Sequence, residues 1–578
     1  MRYLIMLALL LVLPCAARAD EGAEIKEAHR LAAKRYYDSF ASGVQLSGSV
    51  EQNGSQGRFD AYSFGGEWVV RENFGALDSF GYTKDDAYWV GSSYELPFAI
   101  DKEDNPATYV LNLLADGAYL EDPYWSNFNY VSEDAGGYNF VFAVAGLPAV
   151  NVVLYSDTED PQYLQMMSIE MQLSPADKES NSRRSFYSYT VEPSGEVYTS
   201  RETSREIDMS GQTVNFSEYV VENVEKLSSK PPEMNVSLER KPVGTLSDAL
   251  TAPVEIPVDL GKNFFIVPVT FAGHDVTVNF ILDTGASSSI FTPDAAELAG
   301  LTSDLAIPAY GHGSHADFGM GLCTTASLGQ ATAPPEQRAP LAGIPAAIIS
   351  KDNTDLLSAM SFYGVGGILG VSVLYEYVAK FDPEKETITL YPPHLFDATK
   401  DVGTPNVEYW LDVEDLIYLK GKLNGTLEGD VVLDSGLQQD LALLRETVEG
   451  AGITLQVIEE RDGMVVGGSR SFEYVKVPSF ELGPMGWNNI VASLTDDSQG
   501  LQSARKLLGF VGVSLFYANR ITLDLFNQKM YVEPMEGAAA FGKPAPETEA
   551  APAGEEQPPV EQPQEDDGGK TKLPIDIG

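Results

Sequence analysis

Two short motifs place an aspartate directly before a hydroxyl residue and a glycine. They read Asp283-Thr284-Gly285 and Asp434-Ser435-Gly436, and the two aspartates lie 151 residues apart. Two carboxylates held a few Å apart cannot both ionise cheaply, so they share one proton. The ionised carboxylate can then act as a general base and the protonated one as a general acid. These residues are therefore candidates for acid–base chemistry on a shared water.

The elements that must position the two motifs recur in the same order. Each motif ends the second strand of a predicted hairpin, and a hydrophobic-hydrophobic-glycine triplet follows later in both copies. The predicted strands are 264–270 and 276–282 before the first motif, and 417–423 and 427–433 before the second. The later triplets begin the runs Ile368-Leu369-Gly370-Val371-Ser372 and Phe510-Val511-Gly512-Val513-Ser514. One such motif is weak evidence for a particular fold, but two motifs in the same context indicate a duplicated domain.

At these residues the sequence resembles the aspartic peptidases, specifically their retropepsin-like branch. That family carries the D-[TS]-G motif in a turn and a later hydrophobic-hydrophobic-glycine, and the resemblance covers roughly residues 255–535. It implies hydrolysis of a polypeptide substrate with no cofactor and no metal, by an active site within one chain. It implies that Asp283 and Asp434 are the catalytic pair. The supporting active-site turns would be formed by Thr284, Gly285, Ala286, Ser435 and Gly436.

Glycine-rich segments follow each motif and are candidates for mobile flaps over a substrate. They are marked by Gly311 and Gly313 in the first copy, and by Gly467 and Gly468 in the second. Leu437 departs from the family pattern, since a small residue is usual there. Its bulk is expected to narrow a substrate pocket or push the flap. An alternative function is therefore a catalytically silent groove that binds peptides or lipoproteins, and either aspartate alone could be a turn-forming residue.

Other residues with chemical potential give weaker patterns. His312, His315 and Cys323 lie close together but lack the paired spacing and fourth ligand of a typical metal site, and Cys323 is better explained as a small buried residue. Ser288 and Ser289 have no histidine and aspartate partners in a triad pattern. These patterns favour neither a metal site nor serine catalysis.

The charge of the chain excludes some partners. The formal net charge is −46. Binding of nucleic acid requires a basic surface, and docking on anionic lipid requires basic residues as well. Neither partner is expected, and no stretch after the N-terminus is long and apolar enough to be predicted as a membrane helix.

The N-terminus has the pattern of a secretory signal peptide. Arg2 precedes an apolar run over residues 4–13, and Ala17-Arg18-Ala19 supplies a cleavage site. Removal of residues 1–19 would remove Cys15 and leave Cys323 as the single cysteine, so no intramolecular disulfide could form. This pattern predicts export to the periplasm or cell envelope of a Gram-negative bacterium, with secretion as an alternative.

Residues 20–240 are expected to form a β domain that opens with a helix over 24–40. Short alternating segments follow, typical of a meandering antiparallel sheet. The region resembles the half-barrels of outer-membrane lipoprotein carriers in the order of its elements and at Glu67-Trp68, Asp86 to Trp89 and Pro148-Ala149-Val150. The resemblance implies a site for an apolar ligand or a lipoprotein. A plain β scaffold that presents the downstream lobes is the alternative.

The predicted fold is mainly β: an antiparallel half-barrel-like domain, then two tandem retropepsin-like β-barrel lobes related by a pseudo-two-fold axis. Residues 331–360 have no counterpart in the second copy and are predicted to be an insertion in lobe 1. The predicted parts are a signal peptide (1–19), the N-terminal β domain (20–240), a linker (241–256), lobe 1 (257–395), lobe 2 (396–536) and a disordered, acidic, proline-rich tail (537–578).

Overall fold

A computed structural model provides the structure of the chain. It describes residues 2–84, 87–92, 98–100, 106–115, 117–134, 137–155, 165–172, 182–191, 197–207, 213–236, 246–303, 305–311, 314–324, 326–341, 343–403, 405–411, 416–465, 468–483, 485–495 and 507–535. The predicted tail, 537–578, lies outside the described residues. Within the described part of the chain, no helix combines the length and apolar character needed to cross a membrane.

The N-terminal region forms a 13-stranded antiparallel sheet. Its strands are β1 (Val44–Gln52), β2 (Ser55–Phe64), β3 (Glu67–Phe74), β4 (Leu77–Lys84), β5 (Ala87–Ser92), β6 (Phe98–Ile100), β7 (Phe128–Asp134), β8 (Gly137–Phe142), β9 (Val150–Tyr155), β10 (Gln165–Gln172), β11 (Ser182–Val191), β12 (Val197–Ile207) and β13 (Thr213–Lys226). Strands β1 to β6 follow one another in order on one side, and β7 to β13 do so on the other. Strands β1 and β13 pair at the centre, whereas β6 and β7 form the two edges. This confirms the predicted antiparallel sheet.

Two helices pack on one part of this sheet. They are α1 (Arg2–Ala41), which includes the predicted helix 24–40, and α2 (Pro106–Ala115); short 3-10 helices follow at Ala118–Leu120 and Trp125–Asn127. Ala33 of α1 and Val110 of α2 are buried with Phe128, Phe140 and Val152 of the sheet. Burial of these side chains removes apolar surface from water and fixes the helices to the strands.

Lobe 1 is built on a nine-stranded sheet. Its strands are β15 (Phe265–Phe271), β16 (Thr277–Leu282), β17 (Ser289–Phe291), β18 (Leu305–Gly311), β19 (Ser314–Cys323), β20 (Ala326–Leu328), β21 (Ala339–Leu341), β22 (Ile344–Ile349) and β23 (Gly367–Leu369). The helices of this lobe are α3 (Pro293–Leu298) and α4 (Thr354–Tyr363), with 3-10 helices at Pro335–Gln337, Val371–Leu374 and Pro393–Leu395.

Lobe 2 is built on an eight-stranded sheet. Its strands are β27 (Trp410–Leu411), β28 (Ile417–Leu423), β29 (Leu427–Leu433), β30 (Leu441–Leu444), β31 (Gln456–Val465), β32 (Gly468–Leu482), β33 (Met485–Thr495) and β34 (Leu507–Val511). Its helices are α6 (Arg445–Gly450) and α7 (Ser514–Ala518), and α5 (Ala398–Asp401) lies in the connection between the lobes.

The strand orders of the two lobes coincide. In lobe 1 the order is β18-β19-β22-β17-β23-β16-β15, and in lobe 2 it is β31-β32-β33-β30-β34-β29-β28. In both, the strand before the aspartate runs parallel to the strand of the later glycine triplet. The duplication predicted from the sequence is therefore a duplication of topology.

One prediction for lobe 1 is wrong. Most of the segment 331–360 is not an insertion, because β22 occupies the position in lobe 1 that β33 occupies in lobe 2. The extra length lies mainly in the connection between β20 and β21, which contains the 3-10 helix Pro335–Gln337. The run Ile344–Ile349 is buried at almost every position, so it lacks the alternation that marks a half-buried strand.

A six-stranded sheet joins the lobes. Its strands, in spatial order, are β14 (Val254–Pro257), β25 (Thr387–Tyr391), β24 (Val378–Asp382), β35 (Asn519–Asp524), β36 (Lys529–Pro534) and β26 (Val407–Glu408). Three strands come from each lobe, and β24 pairs with β35 antiparallel at the centre. The structure therefore places residues 254–256 of the predicted linker in lobe 1. Beneath this sheet, Phe265 of lobe 1 and Phe516 of lobe 2 both contact the ring of Phe381.

Candidate active site

Each aspartate leaves the end of a buried strand and enters a turn. Asp283 follows β16, and its N–H donates to the carbonyl of Leu369 on β23 at 2.9 Å. Asp434 follows β29, and its N–H donates to the carbonyl of Val511 on β34, also at 2.9 Å. The parallel strand pairs thus fix the two turns in the same way. Close packing also explains the later glycine triplet, since a Cβ at Gly370 would lie 2.6 Å from the Ala286 carbonyl oxygen.

The two turns meet at a single buried site. Asp283 and Asp434 are each about 1% exposed. The N–H of Gly436 donates to Asp434 Oδ1 at 2.8 Å and to Asp283 Oδ1 at 3.1 Å, so both carboxylates lie within hydrogen-bond reach of one nitrogen. The N–H of Gly285 donates to Asp283 Oδ1 at 2.8 Å, and that of Leu437 to Asp434 Oδ1 at 3.0 Å.

Glycine is required on both sides of this site by the close approach of the opposite turn. A Cβ at Gly285 would lie 2.4 Å from Asp434 Cγ, and a Cβ at Gly436 would lie 2.3 Å from Asp283 Oδ2. Any side chain at either position would push the two carboxylates apart. The glycines of both motifs therefore permit the pairing of the aspartates.

The hydroxyl residues of the motifs join the two lobes beneath the carboxylates. Thr284 Oγ1 donates to the carbonyl of Leu433 at 2.8 Å and accepts from the N–H of Ser435 at 3.0 Å. Ser435 Oγ donates to the carbonyl of Leu282 at 2.9 Å and accepts from the N–H of Thr284 at 2.9 Å. Both side chains are fully buried. This reciprocal network holds the two turns in a fixed relation, because a buried polar group without its partner is costly.

The electrostatics of the site favour a shared proton. Burial, the neighbouring charge of Asp283 and a hydrogen bond to Asp283 raise the pKa of Asp434 well above its usual range. The N–H groups of Gly436 and Leu437 oppose that rise. Asp434 therefore tends to keep a proton at a pH where an ordinary aspartate has lost it. A pair with one proton can activate a water with one carboxylate while the other protonates a second group.

The remaining predicted site residues occupy different surroundings. Gly311 ends β18 and Gly468 begins β32, so both predicted flaps belong to β-hairpins, while Gly313 and Gly467 lie outside the described residues. Ala286 is partly buried against lobe 1.

Leu437 does not fill the site in the predicted way. It is about 2% exposed and packs in an apolar cluster of lobe 2 with Tyr418, Val432 and Phe510. Its additional volume relative to Ala286 therefore fills that cluster, which removes the reason for expecting a narrowed pocket or a displaced flap.

Ser289 has a structural role that its sequence context does not indicate. Its Oγ accepts a hydrogen bond from the N–H of Gly370 at 3.1 Å, which ties the first turn to the later glycine triplet. Cys323 is fully buried in the core that the lobes share. His312 lies outside the described residues; among the residues that are described, no group of three or more potential ligands could hold a metal ion.

Two lobes of equal topology with a buried pair of carboxylates between them define the aspartic peptidase class of fold. Residues 267–362 and 419–510 each match the family model described as aspartyl protease. The predicted resemblance of the two lobes to the aspartic peptidases is therefore confirmed.

The solved structures that are similar to this chain include two of different kinds. The aspartic proteinase from Irpex lacteus is 12% identical, with a TM-score of 0.33, over 50% of this chain and 100% of its own. A DUF1329 family protein from Desulfovibrio piger is 12% identical, with a TM-score of 0.25, over 36% of this chain and 95% of its own. No curated protein matches the chain.

Proposed function

We propose that the chain is an aspartic endopeptidase in which Asp283 and Asp434 hold the catalytic water between them. The observation that carries the proposal is the single N–H of Gly436, which donates to a carboxylate oxygen of both aspartates. The two carboxylates are thereby within reach of one small molecule, as general acid–base work requires. The protease-like fold of the two lobes supports a polypeptide substrate.

The proposed reaction needs only the shared proton and the water. The ionised carboxylate takes a proton from the water while the water oxygen bonds to the carbonyl carbon of the peptide, and the protonated carboxylate gives its proton to the carbonyl oxygen. The resulting tetrahedral species collapses as the C–N bond breaks. The leaving nitrogen receives a proton from the carboxylate that took one from the water, and the other carboxylate takes back a proton from one of the two hydroxyl groups, which restores the shared proton. The raised pKa of Asp434 suits the role of acid in the first step.

The geometry beneath the site supports this chemistry. Reacting groups must be held to within a fraction of an Å for efficient proton transfer. The four hydrogen bonds between the turns of Thr284 and Ser435 provide such a constraint. They also tie one lobe to the other within a single chain, so the proposed active site requires no second copy.

The place of action is proposed from the sequence alone. The apolar run over residues 4–13 and the Ala17-Arg18-Ala19 site support export to the periplasm or cell envelope, with secretion as the alternative.

The order of elements in the N-terminal sheet supports an apolar ligand or a lipoprotein as a partner of that domain.

The test is cleavage of a denatured protein by purified residues 20–578, from acid to neutral pH. Asp283→Asn and Asp434→Asn should each abolish cleavage, because asparagine keeps the shape but cannot exchange the proton. Asp524→Asn is the matched control, since Asp524 is buried in the sheet between the lobes and lies outside the site. Absence of cleavage by the parent at every pH would instead support a silent peptide-binding groove.

A further inference from the structure

The N-terminal sheet and lobe 1 share one apolar cluster, called the seat below. It includes Val44, Leu46 and Val50 of β1 together with Ile266, Ile281 and Ile368 of lobe 1. Each of these side chains is at most 7% exposed. Since Ile281 immediately precedes Leu282 and Asp283, the seat lies on the strands that carry the first catalytic turn.

The seat also reaches the hairpin that was predicted to be the flap of lobe 1. This hairpin consists of β18 and β19. Strand β18 contacts β1, β2 and β13, which are the central strands of the N-terminal sheet. Leu305 at the start of β18, and Phe318 and Met320 of β19, pack in the seat. The hairpin thus rests on the middle of the N-terminal sheet.

Lobe 2 has the same topology as lobe 1, but different residues bury the apolar face that corresponds to the seat. The corresponding face of lobe 2 is closed by its own residues, among them Tyr418, Leu437 and Phe510. Strand β31 corresponds to β18, and its Val457 and Ile458 are 49% and 46% exposed. Among the described residues, the apolar clusters that include the N-terminal sheet contain none from the hairpin of β31 and β32, so that hairpin lacks the support given to its counterpart. The pseudo-symmetry of the lobes is broken at the flaps.

We propose that the N-terminal sheet is a positioning domain for the active site: by seating the β18–β19 hairpin, it restrains the flap of lobe 1, whereas the flap of lobe 2 moves freely. This inference rests on the proposed peptidase function for its consequence in catalysis. The restraint of the hairpin does not depend on peptidase function, because apolar surface of the hairpin is removed from water only while the sheet covers it. Opening this hairpin would expose the seat, and opening the other would not.

Hydrogen exchange of the full chain tests the restraint without any need for activity. In the parent protein, the amides of β18 should exchange about tenfold more slowly than those of β31, because local opening must break more packing. Leu46→Ala removes buried volume from the seat and should speed exchange in β18 by about tenfold. Leu154→Ala is the matched control, since Leu154 is buried in the same sheet in a cluster that contains no residue of lobe 1.

The catalytic consequence is measured on the same variants. Leu46→Ala should lower kcat/KM by roughly tenfold through the loosened flap, while Leu154→Ala should leave it near the parent value. Equal exchange rates in β18 and β31 of the parent, or equal effects of both variants on β18, would overturn the inference. A parent without peptidase activity would refute the proposed function alone, and the exchange comparison would still decide whether the sheet restrains the hairpin.

Discussion

Substitution of Thr284 by valine removes one hydroxyl from the network that joins the lobes, with little change in shape. The carbonyl of Leu433 then loses its donor and the N–H of Ser435 loses its acceptor. Each buried polar group left without a partner costs about 1–3 kcal/mol, so Thr284→Val should lower the free energy of unfolding of the lobes by about 2–6 kcal/mol. Thr284→Ser keeps the hydroxyl and should recover most of this loss.

The matched control is Thr270→Val within lobe 1. Thr270 is also buried, and its Oγ1 donates to the carbonyl of Gly329 at 2.9 Å, so valine there leaves one group without a partner rather than two. The expected cost is about 1–3 kcal/mol. Native-state hydrogen exchange of β16 and β29 in urea measures both changes. The reasoning is refuted if Thr284→Val costs no more than Thr270→Val, or if Thr284→Ser fails to recover stability.

Three further predictions concern ionisation and close packing. The pKa of Asp434 is raised by burial and by Asp283. The value of kcat/KM should therefore persist above the ordinary aspartate pKa of about 3.9 and fall only as pH rises through the raised pKa. A pH profile of kcat/KM that already falls near about 3.9 would contradict this. Gly285→Ala should lower kcat at least ~100-fold by displacing Asp434, whereas Gly450→Ala, with open space around it, should leave kcat unchanged. Burial raises the pKa of Glu202 to about 6 in the folded protein. The folded state therefore binds this proton more tightly than the unfolded state does. The stabilisation of the fold by this proton is complete below the unfolded pKa and is lost as pH rises through about 6. In urea titrations Glu202→Gln should therefore stabilise the N-terminal sheet by ~1–2 kcal/mol at pH 7 and by almost nothing at pH 4; an equal effect at both pH values would contradict the assignment.

The hairpin that leads to Asp434 in lobe 2 could be predicted from sequence because its local signals agree. Asn424 and Gly425 both have positive φ, as the two central residues of a type I′ turn require, and the flanking strands are 417–423 and 427–433 as predicted. The pairing of Asp283 with Asp434 was also expected from sequence, because the motif is repeated in the same context and resembles that of the aspartic peptidases. The structure shows that the glycine of each motif lies where the opposite carboxylate approaches.

Long-range features were not predictable in this way. Strands β14 and β26 are only four and two residues long, too short to show any periodicity, so these two strands of the sheet between the lobes had no signal in the sequence. The seat brings Leu46 and Ile281 into one apolar cluster although they lie far apart in the sequence, and no local pattern encodes such an arrangement. The hydrogen bond from the N–H of Gly370 to Ser289 also has no signal in the sequence, because it depends on the tertiary arrangement.

The proposed function requires that one chain supplies both carboxylates of a single peptidase site. We would first measure cleavage of a denatured protein with Asp283→Asn, with Asp434→Asn and with an equimolar mixture of the two. The structure predicts background rates in all three, because Gly436 of the same chain bridges both aspartates. Cleavage by Asp434→Asn alone would indicate a site formed by two first lobes. Cleavage by the mixture alone would indicate a site shared between chains. Either result would refute the proposal that the site lies within one chain.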